Sequence, residues 1–203
     1  MNKLLLSALA VCAFSFSNAQ ETEVQEFGFS QGDIFVEGTM QFDSTNDKNT
    51  ETKTNAFTFT PKAGYFINDK FAAGLNLAIG STKIEMPGVA DDKSSNFGIR
   101  GFGRYYFLDL GKRFKTYTEF GVAYNNTELP TVDVNTFGFD AGLGINYFIK
   151  KNIAITYGFS NILSYASTKA DESGAKAVSS FGFGLNNNSN FFGQSQVGLM
   201  FIF

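Results

Sequence analysis

The sequence of 203 residues contains no histidine and no tryptophan, only three prolines, and a single cysteine, Cys12. Without histidine, the chain lacks the side chain that most often acts as a general base or activates water in enzymes. A single cysteine cannot form an internal disulfide. These absences argue against histidine-dependent catalysis and against a disulfide framework.

Residues 1–19 have the organisation of an export signal. Met1-Asn2-Lys3 is a short basic leader, Leu4 to Phe16 is an almost unbroken apolar run, and Ser17-Asn18-Ala19 supplies small residues. The apolar run is shorter than the roughly 20 residues that a spanning helix needs. We therefore expect a signal peptide that is cleaved before Gln20.

Cys12 leaves a lipoprotein signal as an alternative, because it follows Leu9-Ala10-Val11. However, Val11 is bulky where such a signal has a small residue, and Cys12 lies early, so cleavage before Gln20 is favoured. The mature chain would then have 184 residues and no thiol, with 15 basic and 19 acidic residues and a net charge of −4. A charge this small predicts no binding to nucleic acid.

Aromatic residues and glycine are abundant, with 25 Phe, 8 Tyr and 21 Gly, a composition typical of β structure. Residues 20–30 are polar and acidic, and we interpret them as a periplasmic lead-in. From residue 31 onward, apolar side chains recur at every second position, most cleanly from Phe137 to Phe148. Only a closed barrel lets strands cross a bilayer, so residues 31–203 are predicted to form one transmembrane barrel domain.

The alternating segments number eight, and long and short connections alternate between them. The short turns have three to six residues, whereas the long, mostly polar loops have ten or more: Ser44–Thr54, Ser81–Ser95, Asn126–Thr136 and about Ala166–Gly193. This asymmetry is typical of outer-membrane barrels. The sequence therefore predicts an all-β, eight-stranded, antiparallel up-and-down transmembrane barrel.

Two local features qualify this strand assignment. Pro61 falls inside the second strand and predicts a bulge or kink, because proline removes a ladder hydrogen bond.

Phe181 to Leu185 alternates like a strand within the fourth loop. That segment either extends the last hairpin above the membrane or raises the count to ten, and eight is favoured.

The two faces of the predicted strands differ in charge. One face carries large apolar side chains and no charge, whereas the other combines glycine and alanine with six charged residues: Glu37, Lys62, Arg100, Arg104, Glu119 and Asp140. A charge on the lipid face near the midplane would cost about 2–4 kcal/mol, so the apolar face is predicted to contact lipid. A lipocalin-like soluble barrel, the alternative, would bury its apolar face inside.

The six charges are accordingly expected inside the barrel. An unpaired buried charge costs several kcal/mol, so we expect salt-bridged pairs: Glu37 with Lys62, and Glu119 with Arg104 and also Arg100. Eight strands leave an interior that side chains can fill. The alternative function of these charges is a polar conduit or proton path.

Four stretches carry a resemblance to a known family: Gln196 to Phe203, Pro61 to Phe66, Arg104 to Phe107, and Gly144 to Phe148. On these stretches the chain resembles the small OmpA/OmpX-type outer-membrane barrels, particularly the porin-family or barrel-domain proteins of the Bacteroidetes. The resemblance implies a terminal signal for the barrel-assembly machinery, carried by Gln196, Gly198, Phe201 and Phe203. The peptidoglycan-binding domain that follows the barrel in OmpA is not carried over, since the sequence ends at Phe203.

The resemblance also bears on function. Some small outer-membrane barrels are enzymes, but those families use a histidine, which this chain lacks. We expect a non-enzymatic protein without cofactor, with a structural, envelope-integrity or surface-interaction role. The alternative is a narrow porin-like or OmpW-like channel for small or apolar solutes. Asp91-Asp92 could bind calcium, but their spacing fits no EF-hand pattern, and a solvated acidic tip is favoured.

The expected location is the bacterial outer membrane, reached by export across the inner membrane. The expected partners are outer-membrane lipid, the barrel-assembly machinery and an extracellular partner that binds the loops, which are the part large enough to meet one. No nucleic acid is expected, and the barrel is predicted to be a monomer.

Overall fold

The computed structural model describes residues 27–184 and 195–203, so the predicted signal peptide and most of the lead-in lie outside the described residues. No helix long and apolar enough to cross a bilayer occurs among them. They form a single antiparallel sheet. Its strands are β1 Ile34–Asp47, β2 Thr52–Phe66, β3 Phe71–Glu85, β4 Asp92–Leu110, β5 Phe114–Glu128, β6 Asp133–Lys150, β7 Ile153–Ala170, β8 Val178–Phe183 and β9 Ser195–Ile202.

The sheet closes on itself. Strands β1 to β7 pair in sequence order, and β9 pairs with both β7 and β1. The β1–β9 seam joins Phe35–Gly38 to Leu199–Ile202. Ile34 and Phe203 extend it, because each backbone N–H donates to the other residue's carbonyl, at 3.0 and 2.8 Å. The predicted closed, eight-stranded antiparallel barrel is confirmed.

Two chain segments share the eighth position in the wall. β9 pairs with Ile153–Phe159 of β7, and β8 pairs with Leu163–Thr168 of the same strand. Phe181 to Phe183 alternate like a strand in the sequence, and the structure places them in β8. This strand extends the barrel wall above β9. Leu185, the end of that segment, lies outside the described residues. The barrel itself remains eight-stranded.

A bulge separates the two halves of β7. The β6–β7 register shifts between Ala141 and Leu143, so that Gly142 faces the three residues Ser160 to Ile162. Within the bulge, Asn161 has a φ of 58°, a conformation that asparagine tolerates better than most residues. A Cβ on Gly142 would lie 2.4 Å from the Phe159 carbonyl oxygen, so this position requires glycine.

Part of each predicted long loop is strand. Among residues 27–184, the connections at that end of the barrel consist of residues 48–51, 86–91, 129–132 and 171–177, against 67–70, 111–113 and 151–152 at the other end. The strands rise past the lipid band, where water meets both faces and the apolar period disappears although backbone pairing continues. The sequence pattern therefore marks where the apolar band ends, and not where the strands end.

Pro61 leaves the strand register intact. It lies opposite Gly38 of β1 without a shift, and the β2–β3 pairing skips Thr60 and Pro61 before it resumes with Lys62 opposite Asn76 in the same register. The expected bulge is therefore absent, and the only effect is a local gap in the ladder to β3. Proline has no N–H to donate there.

The outward face is apolar, as predicted. Its middle carries exposed aliphatic side chains such as Val36, Leu75, Ile99, Val122 and Leu199, together with rings such as Phe120 and Phe139. Aromatic rings occupy both borders. Exposed rings lie at the loop end (Phe42, Phe57, Phe97, Tyr124, Phe137) and at the turn end (Tyr65, Tyr105, Phe107, Tyr147, Phe201, Phe203). Such aromatic girdles lie at the two membrane interfaces of outer-membrane barrels.

Candidate functional site: the barrel lumen

The turn end of the lumen is closed by a layer of rings that we call the aromatic floor: Phe29, Phe35, Phe66, Phe102, Tyr106 and Phe148. Phe29 is its central member, since its ring centroid lies 4.2 Å from that of Phe66, 4.4 Å from that of Tyr106 and 5.3 Å from that of Phe148. The side chains of Phe35, Phe66 and Phe148 are fully buried. Five of the six rings come from strands, and Phe29 comes from the lead-in.

The lead-in is thus part of the barrel's closure. Gly32 N donates to Phe66 O at 2.9 Å, and Phe66 N donates to Asp33 O at 2.8 Å, which holds the segment under the β2 end. Phe27 lies against Phe148, with the Arg113 guanidinium 4.7 Å from its ring. Sequence reasoning placed this segment outside the barrel. Phe27 and Phe29, two phenylalanines in an otherwise polar stretch, were the sequence feature that could have predicted this packing.

Above the floor, the six predicted lumen charges form one connected charge network. Arg104 is its lowest member and is completely buried. Its guanidinium carbon lies 4.1 Å from the Tyr117 ring centroid and 5.1 Å from that of Phe35, so the cation rests on the rings below. Its Nε donates to Glu119 at 2.7 Å, and its Nη1 donates to Glu37 at 3.0 Å.

The remaining cations contact the same carboxylates from above. Lys62 Nζ lies 3.0 Å from Glu119 and 3.7 Å from Glu37. Arg100 donates to Glu119 at 2.7 Å and makes a bidentate pair with Asp140 at 2.6 and 2.8 Å. The predicted contacts are all present, but as one network and not as separate pairs. Glu119 is its centre because it contacts all three cations.

The charges balance within the charge network. Three cations face three carboxylates, and the members come from β1, β2, β4, β5 and β6. Every charge has at least one opposite partner, which is the condition under which buried ions are tolerated. The network therefore spans the lumen from wall to wall and ties five strands together.

A polar bridge continues the lower lumen toward β7. The Tyr106 hydroxyl donates to Asn146 Oδ1 at 2.9 Å, and Asn146 Nδ2 donates to Thr156 at 2.7 Å. Asn146 is fully buried. Sequence reasoning did not select these residues as site members, although Asn146 was visible on the polar face of the most regular strand.

Above the charge network the lumen opens into an upper cavity of about 360 Å³. Its base is formed by Lys62, Arg100, Glu119 and Asp140. Its walls carry hydroxyl and amide side chains: Thr39, Thr58, Thr60, Asn76, Asn125, Asn161 and Gln196. The expectation of a side-chain-filled lumen therefore describes the lower half but not the upper half, because the upper inward positions carry small residues.

The four residues of the predicted assembly signal lie along the closing strand β9. Phe201 and Phe203 point outward, with 42% and 77% of their surface exposed. Gly198 lies at the seam, where a Cβ would come within 3.0 Å of both Thr39 Cγ2 and Gly38 O. Gln196 borders the upper cavity. Their positions on β9 explain how this strand closes the barrel. Recognition of these four residues by the assembly machinery stays a prediction.

The acidic tip at Asp91-Asp92 forms a rim ion pair. Lys83 Nζ lies 2.9 Å from Asp91 Oδ2. Across residues 27–184 and 195–203, no group of three or more His, Cys, Asp or Glu side chains is placed to hold a metal ion.

A closed antiparallel barrel with an apolar outer band, two aromatic girdles and ionised side chains inside defines the class of outer-membrane barrels. Residues 6–200 match the model of the outer membrane protein beta-barrel domain, and the chain belongs to that family. It is therefore an outer-membrane β-barrel protein, and its location is the bacterial outer membrane.

A solved structure supports the fold assignment. The outer membrane protein OprG from Pseudomonas aeruginosa is similar over 87% of this chain and 98% of its own, with 15% identity and a TM-score of 0.51. Neisserial surface protein A covers 83% of this chain and 94% of its own, with 15% identity and a TM-score of 0.42. The comparison with curated proteins gave no match.

Proposed function

We propose that this protein is a non-enzymatic, OmpA/OmpX-type barrel of the Bacteroidetes porin-family kind, and that its lumen is closed to solutes. It is exported by a signal peptide cleaved before Gln20, and it serves envelope integrity or surface interaction through its extracellular end. One observation carries the proposal: the charge network lies directly on the aromatic floor, and the two together fill the lower lumen. The fully buried Arg104 lies at their junction.

The electrostatics of the lumen support a structural role. All three lumen carboxylates are engaged by cations, so none is free to act as a general base. The lumen cations are engaged in turn, which leaves no net charge to select a permeating ion. The network instead connects strands that are distant in sequence, such as β1 and β5 through Arg104.

A narrow channel for small or apolar solutes is the second candidate. The upper cavity favours it, because the lumen is already open from the loop end down to the charge network. Passage would require the ion pairs of Arg104 and the stack around Phe29 to separate together. The closed barrel is preferred because both layers are complete.

Single-channel recording in a planar bilayer tests the proposal. Refolded protein comprising residues 20–203 is expected to give no discrete openings, with an established porin in the same bilayer as the positive control. Folding is checked independently by heat-modifiable gel mobility. Reproducible openings from the folded protein would overturn the closed-lumen proposal and favour the channel.

We propose that the end of β9 is recognised by the barrel-assembly machinery during biogenesis. Phe203 and Phe183 form a matched pair for this test, since 77% and 75% of their surfaces are exposed. Phe203→Ser is expected to reduce the folded protein in outer membranes of expressing cells severalfold, whereas Phe183→Ser does not. Both variants are expected to refold equally well in detergent. Equal losses in cells would contradict a terminal signal.

An extracellular partner is proposed to bind the end of the barrel formed by β8 and the connections there. Val178, Phe181 and Phe183 are among the most exposed apolar side chains of this end. Pull-down from whole cells with the wild type and with a triple variant, Val178→Ser, Phe181→Ser and Phe183→Ser, tests this. A partner retained equally by both would place the interaction elsewhere.

A further inference from the structure

The upper cavity has the size of a small-molecule site. Its volume of about 360 Å³ lies at the lower end of the roughly 300–1,000 Å³ typical of ligand pockets. The charge network forms its base, and its walls rise along the strands toward the loop end, past Thr58 on β2 and Asn125 on β5. A molecule that fills it would enter from outside the cell and stop at the ion pairs.

The walls of the cavity offer unengaged hydrogen-bonding groups. Among the residues that the structure describes, the side chains of Thr58, Thr60, Asn76 and Asn125 make no hydrogen bond to another part of the protein. Hydroxyl and amide groups both donate and accept. They therefore match a ligand that carries donors and acceptors together, as a carbohydrate hydroxyl does.

The base of the cavity disfavours charged ligands. Arg100 and Lys62 are satisfied by Asp140 and Glu119, and the network as a whole is neutral. An ion that entered would lose hydration without gaining an unpaired counter-charge. A neutral ligand does not meet this cost, and it can still hydrogen-bond to the outer edges of the paired Arg100 and Asp140 side chains.

Apolar side chains occupy part of the same wall. Ala78, Ala123 and Tyr117 line the cavity beside the amides. A surface that mixes planar polar groups with apolar patches fits molecules whose hydroxyls project sideways from a C–H face. Sugars and polyols have this character, whereas lipids and simple ions do not.

From the volume, the unengaged amides and the neutral base, we propose that the upper cavity binds a neutral, polyhydroxylated small molecule of the sugar or polyol class. This site goes beyond the proposed structural role of the barrel and does not require passage through the lumen. A free sugar and the end of a surface glycan share this chemistry. Binding and conductance are measured separately, so either proposal can fail alone.

Saturation-transfer NMR on refolded protein in lauryldimethylamine N-oxide micelles tests the site without a sugar-based detergent. Trehalose serves as the free-sugar probe and a linear dextran oligosaccharide as the glycan probe, with glucuronate and glucosamine as charged counterparts. Saturable binding of either neutral probe supports the site and identifies the source. Binding of the charged sugars is expected to be at least tenfold weaker.

Variants locate the binding. Asn76→Ala and Asn125→Ala each remove one wall amide and are expected to weaken binding about three- to tenfold, the range for one lost hydrogen bond. Asn49→Ala, the same change at an exposed position outside the cavity, is expected to remain within about twofold. Ala123→Leu narrows the cavity and is expected to weaken binding at least tenfold.

Three results would overturn the inference. The first is no saturable signal with either neutral probe, and the second is equal binding of the charged sugars. The third is an equal loss in Asn49→Ala and the wall variants. Heat-modifiable mobility of every variant shows that a lost signal comes from a folded barrel.

Discussion

The lower and upper halves of the lumen are lined by the same strands, yet they differ in what fills them. Below, inward positions carry large side chains such as Phe35, Phe102 and Arg104, which bury one another almost completely. Above, inward positions carry Thr, Asn, Ala and Gly, and an open cavity remains. The barrel diameter is common to both halves, so the size of the inward residues decides whether a level is closed.

The difference also separates two kinds of polar residue. In the lower half, charged and amide groups are bonded to each other and shielded from water, so removal of one leaves its partners unsatisfied. In the upper half, hydroxyl and amide groups line an open cavity that water can enter. We therefore expect stability to depend on the lower half and to be nearly indifferent to the upper half.

Removal of the Arg104 cation is expected to have the largest effect on the lower half. Arg104→Met leaves Glu37 and Glu119 with fewer partners in a buried site. The free energy of unfolding is expected to fall by about 3–5 kcal/mol. Urea unfolding of the protein refolded into phosphatidylcholine vesicles, followed by gel mobility, measures this change. Lys112→Met, an exposed turn cation, is the control, and an equal loss there would contradict the importance of the network.

Truncation of Phe29 tests whether the lead-in contributes to the same closed region. Phe29→Ala removes the central ring of the aromatic floor and is expected to cost about 3 kcal/mol, as for a buried phenylalanine. Phe27→Ala makes the same change two residues earlier, where the side chain is only half-buried, and is expected to cost less than half as much. The same urea titration compares the two. Equal small effects would show that the floor is complete without the lead-in.

An identical substitution in each half compares them directly. Asn146→Leu leaves the Tyr106 hydroxyl and Thr156 without their partner and is expected to cost about 1–3 kcal/mol. Asn76→Leu changes an inward amide at the cavity wall and is expected to stay within about 0.5 kcal/mol. The free energies of unfolding of both variants are measured side by side and compared with that of the wild type. Equal costs would remove the distinction between the two halves.

The rim of the barrel provides the smallest expected effect. Asp91→Asn removes the pair with Lys83, whose side chain is exposed to water and screened by salt. No measurable shift in the unfolding midpoint is expected at physiological ionic strength. A clear shift would show that ion pairs above the membrane contribute as those inside the lower lumen do.

The sidedness of the barrel could be predicted from sequence because lipid accepts no charge. Period-two alternation therefore records which residues face the bilayer, and it placed Glu37, Lys62, Arg100, Arg104, Glu119 and Asp140 inside without any structural information. Their pairing was only partly predictable. The stagger of the strands around the closed barrel decides which cations contact Glu119. This stagger cannot be read directly from the sequence.

The strand limits and the lead-in were not predictable by the same reasoning. Above the lipid band, no apolar face is required, so strand residues such as Thr52 and Lys83 are indistinguishable from loop residues by pattern. The insertion of Phe29 depends on a gap between Phe66, Tyr106 and Phe148 that exists only once the barrel has closed. Both features arise from three-dimensional context and leave no periodic signal.

The seam between β1 and β9 has a consequence for biogenesis. Phe35 must wait for Ile202, 167 positions later, before its second edge is occupied. The barrel therefore cannot close progressively from its N-terminal strands, because β1 keeps an unpaired edge until β9 is available. Ring closure is then the final, committing event, and a chain interrupted before Leu199 would leave this edge of β1 without its partner strand.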